Sequence, residues 1–187
     1  MPPTSDSIAS MLDRHGFALT VTEGNPFVDE NVAFFLRKFG SLVTPAMRKY
    51  LVLRSTEQQT RFSEDARLEI PWDSVGERIV SWDRFLTDHQ DFLWHDAASF
   101  WYHVYLETYL TGMDNSRAFT DGDSLDGNVR RSYERFLTKH GSTRPGRLLR
   151  EYVDMLRKNQ FRGGTSVDGF LRDHKLHTML GVQPPLR

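Results

Sequence analysis

Apolar residues recur along this chain at the three-to-four-residue spacing that places them on one face of an α-helix. Clear stripes cover residues 32–39, 129–137, 148–156 and 167–174. Glycines follow several predicted helix ends, where a left-handed residue would close the last turn, at Gly40, Gly112, Gly141 and Gly181. The pattern predicts eight helices, near residues 5–15, 27–39, 45–55, 73–88, 91–111, 127–140, 145–160 and 166–180.

One segment has the pattern of a strand instead. Residues 17–22, with the sequence FALTVT, alternate in polarity and are rich in β-branched side chains. A lone strand needs a partner, and the pattern offers none. The sequence therefore predicts an all-α fold, a compact bundle-like domain of about seven or eight helices with a short N-terminal β element.

The helix near 91–111 is predicted to lie at the centre of this bundle. Its aromatic side chains project around the whole circumference, whereas a surface helix would carry them on one stripe. Phe100 and Trp101 are therefore expected to be core residues.

The length of 187 residues and a hydrophobic content of 39% predict a single domain over 1–187. Within it we expect an acidic helical part (1–112), an exposed loop (113–127) and a basic helical part (128–187). The absence of cysteine excludes disulfides and thiolate metal sites. No leader-like N-terminus and no run of about 18 apolar residues is present, which predicts a soluble intracellular protein, in the cytoplasm, without membrane contact.

Charge is distributed unevenly along the chain. Residues 1–127 hold 11 Lys and Arg against 20 Asp and Glu, and residues 128–187 hold 13 against 5. The formal net charge of −1 therefore hides an acidic front and a basic back. This asymmetry indicates an acidic partner for the basic part, or attraction between copies of the chain.

Two predicted helices joined by a short turn carry most of the basic residues. Their polar faces are expected to form one positive surface, on which guanidinium groups would grip phosphate or an acidic protein surface. The alternative is a solvated face neutralised by Glu134, Glu151 and Asp154. The candidate residues are Arg130, Arg131, Arg135, Lys139, Arg144, Arg147, Arg150, Arg157, Lys158 and Arg162.

A second candidate is an anion site at the start of the last predicted helix. Gly163, Gly164 and Thr165 follow an arginine there, and free backbone N–H groups at a helix N-terminus attract phosphate. The motif lacks the ending of a phosphate-binding loop, so capping by Thr165 or Ser166 is the competing interpretation.

Histidine spacing gives a third, weaker candidate. His103 and Glu107 lie one helical turn apart, and His174 and His177 offer a second half-site. If the two helices faced each other, the four side chains could hold a metal. A satisfied or surface histidine is the commoner outcome, so no metal and no cofactor is expected.

These features support three function hypotheses. The first is a non-enzymatic binding or assembly protein whose basic C-terminal helices contact nucleic acid or an acidic protein surface. The second is a structural subunit that forms a homo-oligomer or joins a larger complex through acidic-to-basic contacts. The third is a metal-dependent, hydrolase-like enzyme that uses the four residues above. An enzyme is the less favoured class.

Overall fold

The computed structural model describes residues 5–22 and 24–176, most of which lie in helices. The chain divides into two compact units, one up to Asp65 and one from Ala66 onward. The predicted all-α fold class with a short N-terminal β element is confirmed. That the chain is a single domain stays a prediction.

The first unit contains helices and one β-hairpin. Its elements are α1 (Ser5–Arg14), β1 (Phe17–Thr22), β2 (Asn25–Glu30), α2 (Val32–Phe39), α3 (Pro45–Gln59) and the two-residue β3 (Ser63–Glu64).

The helix predicted from residue 27 was wrong at its start, because residues 25–30 form the missing partner of β1. The two strands are antiparallel, with Phe17 opposite Glu30. The Thr20 hydroxyl donates a hydrogen bond of 2.8 Å to the Asp29 carboxylate across the pair. Pro26 was interpreted as a sign of a helix start, but proline is also tolerated in an edge strand.

Side-chain caps set the helix starts of the first unit. Asn31 accepts a hydrogen bond of 3.0 Å from the N–H of Phe34 and begins α2, and Thr44 caps α3 in the same way. Helix α3 runs past the predicted end at 55, because the polar residues that follow have partners. Gln58, for example, donates to the carbonyl of Glu30 and accepts from the N–H of Val32.

The second unit is built around two long helices. Its elements are β4 (Arg67–Leu68), α4 (Trp72–Asp88), α5 (His95–Thr111), β5 (Gly112–Met113), β6 (Ser116–Arg117), α6 (Gly127–His140), α7 (Arg144–Lys158) and α8 (Thr165–Asp173).

Helix α5 begins at His95 and not near residue 91. Residues 89–94 form a loop, because Phe92 packs its ring edge-on against Phe85 at 5.0 Å and is buried. Most of α5 is buried, as expected of a central helix. Phe100 is only 6% exposed, whereas Trp101 is half-buried and packs edge-on against Phe100, so that it lies at the margin of the core.

The C-terminus of α5 is buried, and its last four carbonyl groups, those of residues 108–111, all have donors. A helix leaves these groups without partners of its own, and a buried orphan carbonyl is costly. The N–H of Gly112 donates to the carbonyl of Thr108, and the N–H of Ala118 donates to the carbonyl of Thr111. The Tyr133 hydroxyl donates to the carbonyl of Tyr109 at 2.7 Å, and the Tyr152 hydroxyl donates to the carbonyl of Leu110 at 2.9 Å. Burial raises the pKa of both phenols, which keeps them neutral donors.

The segment predicted as an exposed loop, residues 113–127, makes several contacts with the rest of its unit. Ala118 is fully buried, and backbone hydrogen bonds join Leu125 to Phe161 and Gly163 to Asp123. Helix α8 ends at Asp173, earlier than predicted, and the rest of the predicted helix beyond 176, with His177 and Gly181, lies outside the described residues.

Of the described glycines that were predicted to close a helix in the left-handed conformation, one does so. Gly112 has a φ of 84° after α5. Gly40 and Gly141 are right-handed instead, with φ of −59°. There a Cβ would collide with the carbonyl oxygens of Leu36 and Leu137, so glycine is needed for close approach and not for handedness. In the described part of the chain, no helix is long and apolar enough to cross a membrane.

Replacement of Phe100 by alanine should lower the free energy of unfolding by about 3–5 kcal/mol, because it opens a cavity beside α5. The same change at the half-buried Trp101 should cost clearly less. Denaturant titration of both variants tests this ranking, and an equal or larger loss at Trp101 would contradict the burial described above.

Replacement of Tyr152 by phenylalanine should lower the free energy of unfolding by about 0.5–1.5 kcal/mol, because the buried carbonyl of Leu110 loses its hydrogen bond of 2.9 Å and keeps only the longer one from Tyr133, at 3.2 Å. Tyr105→Phe is the matched control, since the Tyr105 hydroxyl bonds to the partly exposed Arg78. Equal melting temperatures for the two variants would show that the α5 carbonyls do not need these phenols.

Candidate partner-binding surface

Three of the ten predicted basic residues are ion-paired with carboxylates of α4. The pairs are Arg135 with Asp73 through two bonds of 2.9 and 3.0 Å, Lys139 with Glu77 at 2.7 Å, and Arg144 with Asp83 at 2.6 Å. Part of the acidic front therefore neutralises part of the basic back within one molecule. These three ion pairs link α6 and α7 to α4, and they neutralise part of the positive charge although the three cations stay more than half exposed.

The acidic partners on α4 were missed in the sequence, although a signal was present. Asp73 and Glu77 are four residues apart, and so are Arg135 and Lys139, so two helices with matching charge spacing can pair in register. His140 also contacts Glu77, at 2.9 Å.

Asp73 is the surface end of a hydrogen-bond chain that reaches into the core. Ser132 donates to its carboxylate at 2.6 Å, so the Tyr109 hydroxyl, 2.9 Å from the Ser132 oxygen, must donate in turn. The hydrogen bonds from Arg135 lower the pKa of Asp73 and outweigh the opposing effect of burial.

Glu77 and Arg144 have similarly defined surroundings. Burial alone would raise the pKa of Glu77, but hydrogen bonds from Lys139 and His140 lower it. Arg144 also lies over the ring of Tyr102, 4.8 Å from its centroid, and burial raises the pKa of Tyr102 to about 12.

Two further cations pair within their own helices, as the competing interpretation expected. Arg130 contacts Glu134 at 3.2 Å and lies 4.0 Å over the ring of Phe161. Arg157 contacts Asp154 at 2.6 Å.

The other five predicted cations are exposed and have no carboxylate partner among residues 5–22 and 24–176. The side chain of Arg131 bonds to Asn128, and that of Arg147 to the carbonyl of Ser142. The set consists of Arg131, Arg147, Arg150, Lys158 and Arg162; we call it the unpaired cations.

Three of the unpaired cations share the solvent face of α7. Arg147, Arg150 and Lys158 follow a helical stripe, with Glu151 and Asp154 between them. Near the end of this stripe the surface has a depression of about 600 Å³. Its lining is of mixed charge and consists of Glu151, Asp154, Met155, Lys158, Asn159 and Ser166. The positive character is therefore strongest around the first half of α7.

The candidate anion site at Gly163, Gly164 and Thr165 already faces a negative group. The carboxylate oxygens of Asp123 lie so close that a Cβ on Gly163 or Gly164 would be 2.8 or 3.3 Å from them. An incoming anion would meet this carboxylate. Gly164 is the N-cap residue of α8, and no side chain caps the helix. The predicted capping by Thr165 or Ser166 was wrong, since the Ser166 hydroxyl donates to the carbonyl of Gly163 instead.

The histidine candidates lie in separate surroundings. A ring nitrogen of His103 bonds to the carbonyl of Ser99 at 2.7 Å, Glu107 is buried, and His174 stacks on Phe170 near Glu151. Among the described residues no three His, Asp or Glu side chains come together as metal ligands. His177 lies outside those residues.

Comparison with protein-family models, with curated proteins and with solved structures found no match to this chain.

Replacement of Arg135 by glutamine should lower the free energy of unfolding only slightly near neutral pH, since the pair with Asp73 is half exposed. The pKa of Asp73 is lowered in the folded state, so this pair stabilises the fold above the ordinary aspartate pKa of about 3.9 and stops doing so as pH falls through the lowered value. The difference from wild type should therefore stay constant above about pH 5 and shrink as the pH falls below that value, through the lowered pKa of Asp73.

Denaturant titrations over that pH range provide the measurement. Arg131→Gln is the control, because this arginine has no described carboxylate partner and its loss should give no such pH dependence. A difference for Arg135→Gln that stays constant down to low pH would contradict the assigned role.

Proposed function

We propose that this protein is a non-enzymatic binding or assembly protein whose basic C-terminal helices contact nucleic acid or an acidic protein surface. The observation that supports it is the set of unpaired cations. Half of the predicted basic residues already have carboxylate partners, and the other half stay exposed without one in the described part of the chain.

Arginine chemistry favours phosphate as the first partner to test. Four of the five unpaired cations are arginines, whose planar guanidinium groups can bind phosphate through two parallel hydrogen bonds. Arg147 and Arg150 are adjacent on α7, within reach of neighbouring phosphates on one strand.

The test is a binding titration with labelled duplex DNA and single-stranded RNA at several salt concentrations. The variant Arg147→Gln, Arg150→Gln, Lys158→Gln removes three unpaired cations and leaves the pairs with α4 intact. We expect weaker binding, and a salt dependence whose slope falls by about one for each lost phosphate contact.

The matched control is Arg67→Gln, Arg84→Gln, Arg117→Gln, which removes the same charge from exposed positions of the same unit. It should bind almost as wild type. If wild type binds neither nucleic acid nor an acidic polypeptide such as polyglutamate, or if both triple variants weaken binding equally, the proposal is wrong.

A further inference from the structure

Two short segments carry opposite charge without any counter-charge of their own. Residues 31–56 contain five Lys or Arg and no Asp or Glu, and residues 85–116 contain five Asp or Glu and no Lys or Arg. The first lies within the unit that ends at Asp65, and the second within the unit that follows. Neither segment belongs to the basic surface discussed above.

The cationic segment forms the hairpin of helices α2 and α3. Leu42, in the connection between them, is 80% exposed. The connection is fixed by a hydrogen bond from the N–H of Leu42 to Phe39 and by the Thr44 cap. Arg37, Lys38 and Arg48 lie within six residues of Leu42. We call Arg37, Lys38, Leu42 and Arg48 the cationic tip.

The anionic segment has the same construction with reversed charge. Leu93, in the connection between α4 and α5, is 71% exposed, because its neighbour Phe92 takes the buried position against Phe85. Asp88, Asp91 and Asp96 lie within five residues of Leu93, and Asp96 also lies 4.0 Å from a ring nitrogen of His95. We call Asp88, Asp91, Leu93 and Asp96 the anionic tip.

Leu42 and Leu93 are the two most exposed large apolar side chains among the described residues. An exposed leucine with exposed charges of one sign close to it in the sequence fits a surface with a leucine and the opposite sign, because the apolar contact adds to the charge attraction. Each tip therefore complements the other better than it complements itself.

We propose that copies of this chain associate head to tail, with the cationic tip of one copy against the anionic tip of the next. Such a contact is heterologous, because the two patches differ. Each pair of copies keeps one unused tip of each kind, so further copies can add unless a ring closes. The contact uses none of the unpaired cations and does not rest on the proposed function.

The test uses two variants that each remove one tip. The first is Arg37→Gln, Lys38→Gln, Leu42→Ser, and the second is Asp91→Asn, Leu93→Ser, Asp96→Asn. Sedimentation velocity of wild type should show a mass that rises with concentration, and that falls to the monomer as salt shortens the screening length from about 10 Å to about 3 Å. Each variant alone should remain monomeric.

An equimolar mixture of the two variants is the decisive sample. Each contributes one intact tip, so the mixture should form a one-to-one complex and nothing larger. Val28→Ser, Arg14→Gln, Arg61→Gln is the control, because it removes one exposed aliphatic side chain and two cations from the same unit. It should associate as wild type does, and circular dichroism confirms that each variant is folded.

A wild type that is monomeric at all concentrations overturns the proposal, as does a control that loses association. Variants that still self-associate alone, or a mixture that forms no complex, have the same consequence. Wild type could instead stay monomeric and sediment with vesicles of anionic phospholipid, while the first variant does not. That result would assign the cationic tip to a lipid surface and would overturn the proposal that a second copy binds it.

Discussion

The buried C-terminus of α5 is the constraint on which the second unit depends. A helix that ends inside a protein needs donors for carbonyls that no water reaches, and two of these donors are phenols from α6 and α7. Tyr133 and Tyr152 therefore define where both later helices must lie along α5. Hydrophobic packing alone would allow these helices to slide, whereas a hydroxyl within 3 Å of one carbonyl does not.

The carboxylates of α4 also contact α6 and α7, but at the surface of the unit. Asp73, Glu77 and Asp83 hold three of the cations that follow them by about 60 residues in the sequence. Part of the charge asymmetry is thus neutralised by pairing between two parts of one unit. The cations without a described carboxylate partner occupy a few positions on α6, α7 and the loop after α7.

Helix content was readable from the sequence, because amphipathic spacing and caps act locally; α6 has the predicted bounds and β1 matches its predicted strand. The errors arose where contacts with residues distant in the sequence determine the local structure. Residues 25–30 form a strand and not a helix, because they pair with β1. Phe92 lies outside α5, because its ring packs against that of Phe85. The candidate surface was predictable as a list of cations, but which of them are neutralised depends on α4. Averaging charge over 127 residues also concealed the acid-free run at 31–56.

The uneven placement of aromatic residues has a practical consequence for spectroscopy. All four tryptophans, at positions 72, 82, 94 and 101, belong to the unit that begins at Ala66, and five of the six tyrosines do as well. Tryptophan emission therefore reports on that unit alone, with Trp82 fully buried as its most shielded fluorophore. The far-ultraviolet dichroism, in contrast, reports on the helices of both units. A comparison of the two signals during unfolding separates the stabilities of the two units without cutting the chain.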